Sequence, residues 1–144
     1  MRIKFIIAFL ILIFACVLQS WLASMNIFID VILASLIAFA FFFDIWELLV
    51  FILFSIFVIN WQPAFSVEIL LFGVIPLITF VARKFFALIP WIAIPVAIFC
   101  GFLVMYIVVA PSLFFANWQQ FVIDVLGALV FGQLVYLALN RSTQ

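Results

Sequence analysis

The sequence predicts an all-α, polytopic membrane protein, a bundle of about six transmembrane helices with both termini cytoplasmic. Three observations carry that expectation: hydrophobic residues make up 74% of the 144 and charged residues only 7%, apolar runs of membrane-crossing length follow one another, and tryptophan recurs at their ends. Water-soluble domains carry about a quarter charged residues, so a soluble fold is excluded. Lipid must be the solvent for most of the chain.

A hydrocarbon core of about 30 Å needs around 20 apolar residues per helix, and the segments are counted on that scale. They run over residues 5–22, 27–43, 45–59, 67–82, 91–110 and 118–139, in one transmembrane domain. Ser24, Met25 and Asn26 interrupt the first two, and Asp44 and Glu47 mark the next break. The third ends at Asn60, Trp61, Gln62 and Pro63, where amides and a proline stop a helix. Arg83 and Lys84 close the fourth, Pro90 precedes the fifth, and Pro111 and Ser112 end it. Gly73 and Pro76 are expected to bend the fourth segment and Pro95 the fifth.

Basic residues flanking transmembrane helices collect on the cytoplasmic face. With six passes and a cytoplasmic N-terminus, Arg2, Lys4, Arg83, Lys84 and Arg141 all fall on that side, and merging any two adjacent segments would break the pattern. Trp21, Trp46, Trp61, Trp91 and Trp118 each stand at a predicted helix end, the headgroup level that their amphipathic rings prefer. The zero formal net charge leaves no basic field for nucleic acid, so the expected partners are membrane lipid and other membrane proteins. Cys16 and Cys100 lie in apolar runs and read as small hydrophobes.

Ionisable groups inside a bilayer are costly and are functional candidates unless they reach water. Asp44, Glu47, Arg83 and Lys84 sit in cytoplasmic turns and read as solvated caps and topology signals. Asp30, Glu68 and Asp124 form another group, because six passes put all three in the outer half of their segments. Asp124 lies deepest, about 9 Å below the interface if its helix starts at Trp118, beyond the reach of so short a side chain. It is expected to face the bundle interior or a wet cavity.

Gln120, Asp124, Ala128, Gly132 and Tyr136 recur every fourth residue and make one polar, small-residue stripe, with Gln133 beside it. Asp30, Gln120, Asp124, Gln133 and Glu68 are therefore the candidate polar or interaction site. Hydrogen bonding of Asp124 to a neighbouring helix, with no further role, is the competing reading. Ala34 and Ala38 continue a similar stripe from Asp30, and Ala93, Ala97 and Gly101 make another, which together with Ala128 and Gly132 read as helix-packing seams.

No enzyme is expected. The chain has no histidine, which removes Ser-His-Asp, Cys-His and histidine-metal arrangements, and no Gly-rich phosphate loop is present. No serine neighbours Lys4 or Lys84 at helical spacing, and neither cofactor nor metal is implied. Asp30 and Asp124 could form a carboxylate dyad only if the fold joined them, and no sequence feature does so.

Leu18-Gln19-Ser20 closing the first segment, Asp30 near the start of the second, and Phe65-Ser66-Val67-Glu68 leading through the fourth to Val81-Ala82-Arg83-Lys84-Phe85-Phe86 resemble the bacterial rod-shape-determining MreD-type membrane proteins. The chain departs from them in lacking glycine between Leu48 and Ile59 and in having Phe28 and Ile29, not a proline, before Asp30. The resemblance implies a non-enzymatic scaffold subunit of a cell-shape and cell-wall elongation complex in the bacterial cytoplasmic (inner) membrane. It also implies that the small-residue stripes are its interaction surfaces. The family is similar in architecture to substrate-binding subunits of vitamin-type transporters, which supplies the alternative. Such subunits dock their partner through an alanine-xxx-alanine seam on the first helix, and Ala8 and Ala15 have the wrong spacing for one.

Overall fold

The computed structural model describes residues 2–59, 66–85 and 89–142. Its elements are all helical: α1 (Arg2–Ser24), α2 (Val31–Phe39), α3 (Ile45–Ile59), α4 (Val67–Ala82), α5 (Pro90–Val109), α6 (Pro111–Ala116) and α7 (Trp118–Arg141). No strand occurs among the described residues. Asn60, Trp61, Gln62 and Pro63, read as the stop of the third segment, lie outside them, as do Phe65 and Phe86.

Three helices, α1, α5 and α7, are long and apolar enough to cross a membrane, and α3 and α4 are shorter apolar helices. The chain therefore has the character of a membrane protein. The bounds of α3 and α4 coincide with the segments read from sequence, and α4 and α5 continue through Pro76 and Pro95. α1, α5 and α7 differ from their segments by at most three residues at an end, and two stretches differ in kind. Residues 111–116, expected as a break, form α6, whose Pro111 suits a first helical turn because its missing N–H has no helical partner to lose.

The second segment differs more. Its apolar run of 27–43 contains only the nine residues of α2, about 14 Å of helix against a core of about 30 Å. The rest is irregular. α1 ends in a Schellman motif: Asn26 has φ 61°, Asn26 N–H donates to the Ala23 carbonyl and Ile27 N–H to that of Leu22. Asparagine tolerates this left-handed backbone at little cost. Residues 27–30 then approach α2 without helical bonding, and Val31 N–H donates back to Ile29 across Asp30 (φ −83°, ψ 77°), the geometry of an inverse γ-turn.

All nine residues of α2 are buried, and the helix packs against α1, α3, α4, α5 and α7. Between helices in lipid, burial gains close packing and backbone satisfaction in place of a hydrophobic transfer term. Irregular backbone at membrane depth survives only where protein or a wet cavity covers it. The centre of the bundle is accordingly where a short helix with non-helical ends belongs.

Contacts define two ends of the bundle. At one, Arg2 and Glu47 wall the same recess, Tyr136 meets the rings of Phe42 and Trp91, and Arg83 reaches Ala40 and Phe43. At the other, Gln19, Asp30, Ile59 and Glu68 line a common space, while Gln120 and Asp124 bond Phe28 and Asp30. The helices α1, α2, α3, α4, α5 and α7 run alternately between these ends.

Arg83 is more than a solvated cap. Its half-buried guanidinium donates to the carbonyls of Ala40 at 2.8 Å and Phe43 at 3.1 Å, and it lies 4.1 Å from the Phe80 ring centroid. Carbonyls at the end of α2 lack helical donors, and a fork-shaped cation meets two of them together. Asp44 and Glu47 act locally, as read: Glu47 accepts from Asp44 N–H, half of a capping box that opens α3. Replacing Arg83 by Ala is expected to lower stability by about 1–2 kcal/mol, with Lys in between. The check is the midpoint of a reversible SDS titration followed by tryptophan fluorescence.

Candidate functional site: a polar cavity at the start of the buried helix

The backbone of residues 28–33 determines what the polar side chains around it do. Gln120 Nε2 donates to the Phe28 carbonyl at 3.0 Å. Asp30 N–H donates to Asp124 Oδ1 at 2.8 Å, Ile32 N–H to Gln19 Oε1 at 3.1 Å, and Leu33 N–H to Asp30 Oδ1 at 3.1 Å. Tyr106 completes the set by donating its hydroxyl to Asp124 Oδ2 at 2.7 Å. Side chains from α1 and α7, with that of Asp30 itself, thus supply the partners that a continuous helix would have supplied.

Asp124 is the pivot. It is 6% exposed, and each of its carboxylate oxygens accepts one bond, from Asp30 N–H and from the Tyr106 hydroxyl. Carboxylate acceptors make stronger bonds than neutral ones, which suits a residue joining α2, α5 and α7. Asp30 is the N-cap of α2, a position that favours Asp because its short side chain reaches the free N–H groups of the first turn. The fold therefore brings Asp30 and Asp124 together through backbone, one N–H of the first bonding the carboxylate of the second.

Packing permits this approach. Ile29 lies against Gly127 of α7, where an added Cβ would stand 2.6 Å from its Cδ1. The seams read from sequence are likewise within the chain: Ala34, Ala38, Ala93 and Ala128 are buried, as are Gly101 and Gly132, and Ala97 packs against the core. A Cβ on Gly101 would lie 2.9 Å from Ile75 Cγ2 and 3.0 Å from Ile37 Cδ1, and one on Gly132 would overlap Ile98 Cδ1. These stripes close α2, α4, α5 and α7 on one another, and Ala97 and Gly101 also border a half-open apolar groove between α4 and α5.

Beside the anchored backbone lies a half-open cavity of about 440 Å³ whose wall includes Gln19, Phe28, Asp30, Glu68, Tyr106 and Asp124. A second space of about 200 Å³ shares Gln19, Asp30, Glu68 and Met105 with it. Of the candidate residues, Asp30, Glu68 and Asp124 meet at this cavity, and Gln120 braces its rim through Phe28. Gln133 does not belong to the group. It lies at the opposite end, donating to the Trp91 carbonyl at 3.0 Å, because its place beside the stripe is also about three and a half turns further along α7 than Gln120.

Sequence reasoning gave no role to Tyr106 or Gly127, and it noted Gln19 only within a resemblance. Tyr106 is one of two tyrosines in the chain, close to the end of an apolar segment, and counting it as apolar hid its hydroxyl. Gln19 shows the same signal, an amide near the end of an apolar run. Comparison with known proteins finds no match to this chain among family models, curated proteins or solved structures.

Proposed function

We propose that the chain is a non-enzymatic, six-pass subunit of a bacterial cell-wall elongation complex, an MreD-type scaffold in the cytoplasmic membrane with both termini inside. The observation that carries this reading is the polar cavity at the end opposite Arg2 and Arg83. Its amide side chains and Asp124 hold backbone in place, which supports the reading of a walled recess for a partner. With most of the small-residue seam positions buried inside the bundle, this recess is a surface that offers a partner specific polar chemistry.

Six passes are supported by the alternation of helix ends and by the positive-inside rule. The end that carries Arg2 and Arg83 then faces the cytoplasm, and the cavity faces outwards. α2 makes its pass with non-helical ends, which buried backbone partners allow.

The cavity volume favours a second reading, since small-molecule sites occupy about 300–1,000 Å³. On that reading the chain is the substrate-binding subunit of a vitamin-type transporter. Ala8 and Ala15 weigh against it, because both are buried, and their seven-residue separation makes no alanine-xxx-alanine seam on the outer face of α1.

Purification of the tagged chain in mild detergent, with identification of what accompanies it, separates the two. The scaffold reading expects membrane proteins of cell-wall synthesis. An ATPase module, or a tightly held vitamin-sized molecule, would overturn it in favour of the transporter.

A further inference from the structure

We infer that the outer cavity receives a cationic head, an ammonium or guanidinium on an apolar stem. This rests on the reading of the cavity as a receptor. The inference starts from an inventory of hydrogen-bonding groups in a space large enough for an occupant. The start of a helix ordinarily offers free N–H groups and a positive dipole end, and so attracts anions. Here the N–H groups of Asp30, Val31, Ile32 and Leu33 are all engaged, by Asp124, Ile29, Gln19 and Asp30, and the Tyr106 hydroxyl is turned to Asp124. An anion entering would find those donors occupied.

Among the described residues the charged groups on the cavity wall are all carboxylates, and Gln19, its Oε1 taken by Ile32 N–H, adds one neutral amide donor. Glu68 lies exposed on its wall with Asp30 beside it, and the same two residues line the adjoining space. The remainder is apolar, from Ile27, Phe28, Met105 and Val109, and it suits the hydrocarbon stem that carries an ammonium or guanidinium group. Phe28 and Tyr106 add aromatic surface of the kind that favours cations over anions. A lysine or arginine side chain of a partner and a free alkylamine share this chemistry.

The test uses the full chain in lipid nanodiscs with n-pentylammonium chloride and sodium pentanoate as probes at equal ionic strength, followed by ligand-detected NMR. The amine is expected to bind at least about tenfold more tightly than the carboxylate, and Glu68→Gln to weaken the amine by about the same factor. Glu68 is exposed, so the SDS midpoint of that variant should stay at the wild-type value and separate binding from folding. Equal binding of the two probes, or an amine affinity unmoved by Glu68→Gln, overturns the charge preference alone.

A photoreactive residue in place of Ala23, on the cavity wall, distinguishes the sources in cells. A protein adduct assigns the head to a partner's side chain, and amine binding without an adduct assigns it to a small molecule. Binding of neither probe together with no adduct overturns the receptor reading itself.

Discussion

Asp124→Leu is expected to lower the stability of the bundle by about 4 kcal/mol. The substitution removes the acceptor of two hydrogen bonds, so that Asp30 N–H and the Tyr106 hydroxyl are left inside the bundle without it. Each stranded donor costs about 1–3 kcal/mol, more than the roughly 0.6 kcal/mol averaged by interhelical hydrogen bonds in membranes. The difference arises because one of the two donors is backbone that cannot turn away to find another partner. Asp124→Asn keeps an acceptor oxygen and should lose about half as much. The readout is the SDS midpoint. A wild-type midpoint for Asp124→Leu would mean that the lead-in to α2 finds its partners elsewhere.

Gly132→Leu is expected to separate α5 from α7, at a loss of more than about 3 kcal/mol, the upper end for overpacked sites. The seam has no room: a Cβ at Gly132 overlaps Ile98 Cδ1, and Ile98 is itself fully buried. Gly132→Ala should lose about 2 kcal/mol, because about 1 kcal/mol of improved helix propensity offsets part of the clash. Ile98→Val deletes the obstructing methyl, so combining it with Gly132→Ala should recover about 1 kcal/mol relative to the sum of the single effects. Strict additivity of the two would contradict the seam as described.

The sequence shows most of the helical framework, because hydropathy and the breaks between apolar runs are local properties. Ile45–Ile59 and Val67–Ala82 can be read from composition and flanking residues alone. Fourfold spacing likewise shows that Asp124, Ala128 and Gly132 share one face of α7.

What hydropathy does not show is conformation. The run of 27–43 is apolar throughout, yet only Val31–Phe39 is α-helical, since apolar side chains suit a buried irregular strand of backbone as well as a helix. The pairing of Asp30 with Asp124 was hidden for a related reason. It is made by an N–H group, which every residue but proline has, so no residue type announces it.

Arg83 follows the same logic at the other end of α2. As a charge it is a topology signal, and as a fork of donors it meets carbonyls of Ala40 and Phe43 that the sequence had counted as part of a longer helix. Gln19, Gln120 and Asp124 do at the start of α2 what Arg83 does at its finish. Four polar side chains of this very apolar chain, Gln19, Gln120, Asp124 and Arg83, thus meet backbone that one short helix cannot bond for itself.

Amide hydrogen exchange in nanodiscs tests this most directly, residue by residue through the start of α2. Asp30 and Ile32, whose N–H groups have side-chain partners in place of helical ones, should exchange as slowly as amides within α7. Asp124→Leu should accelerate Asp30 by about a hundredfold, the equivalent of losing roughly 3 kcal/mol of local protection. Rapid exchange at Asp30 and Ile32 in the wild-type chain, or a rate at Asp30 unchanged by Asp124→Leu, would contradict the account.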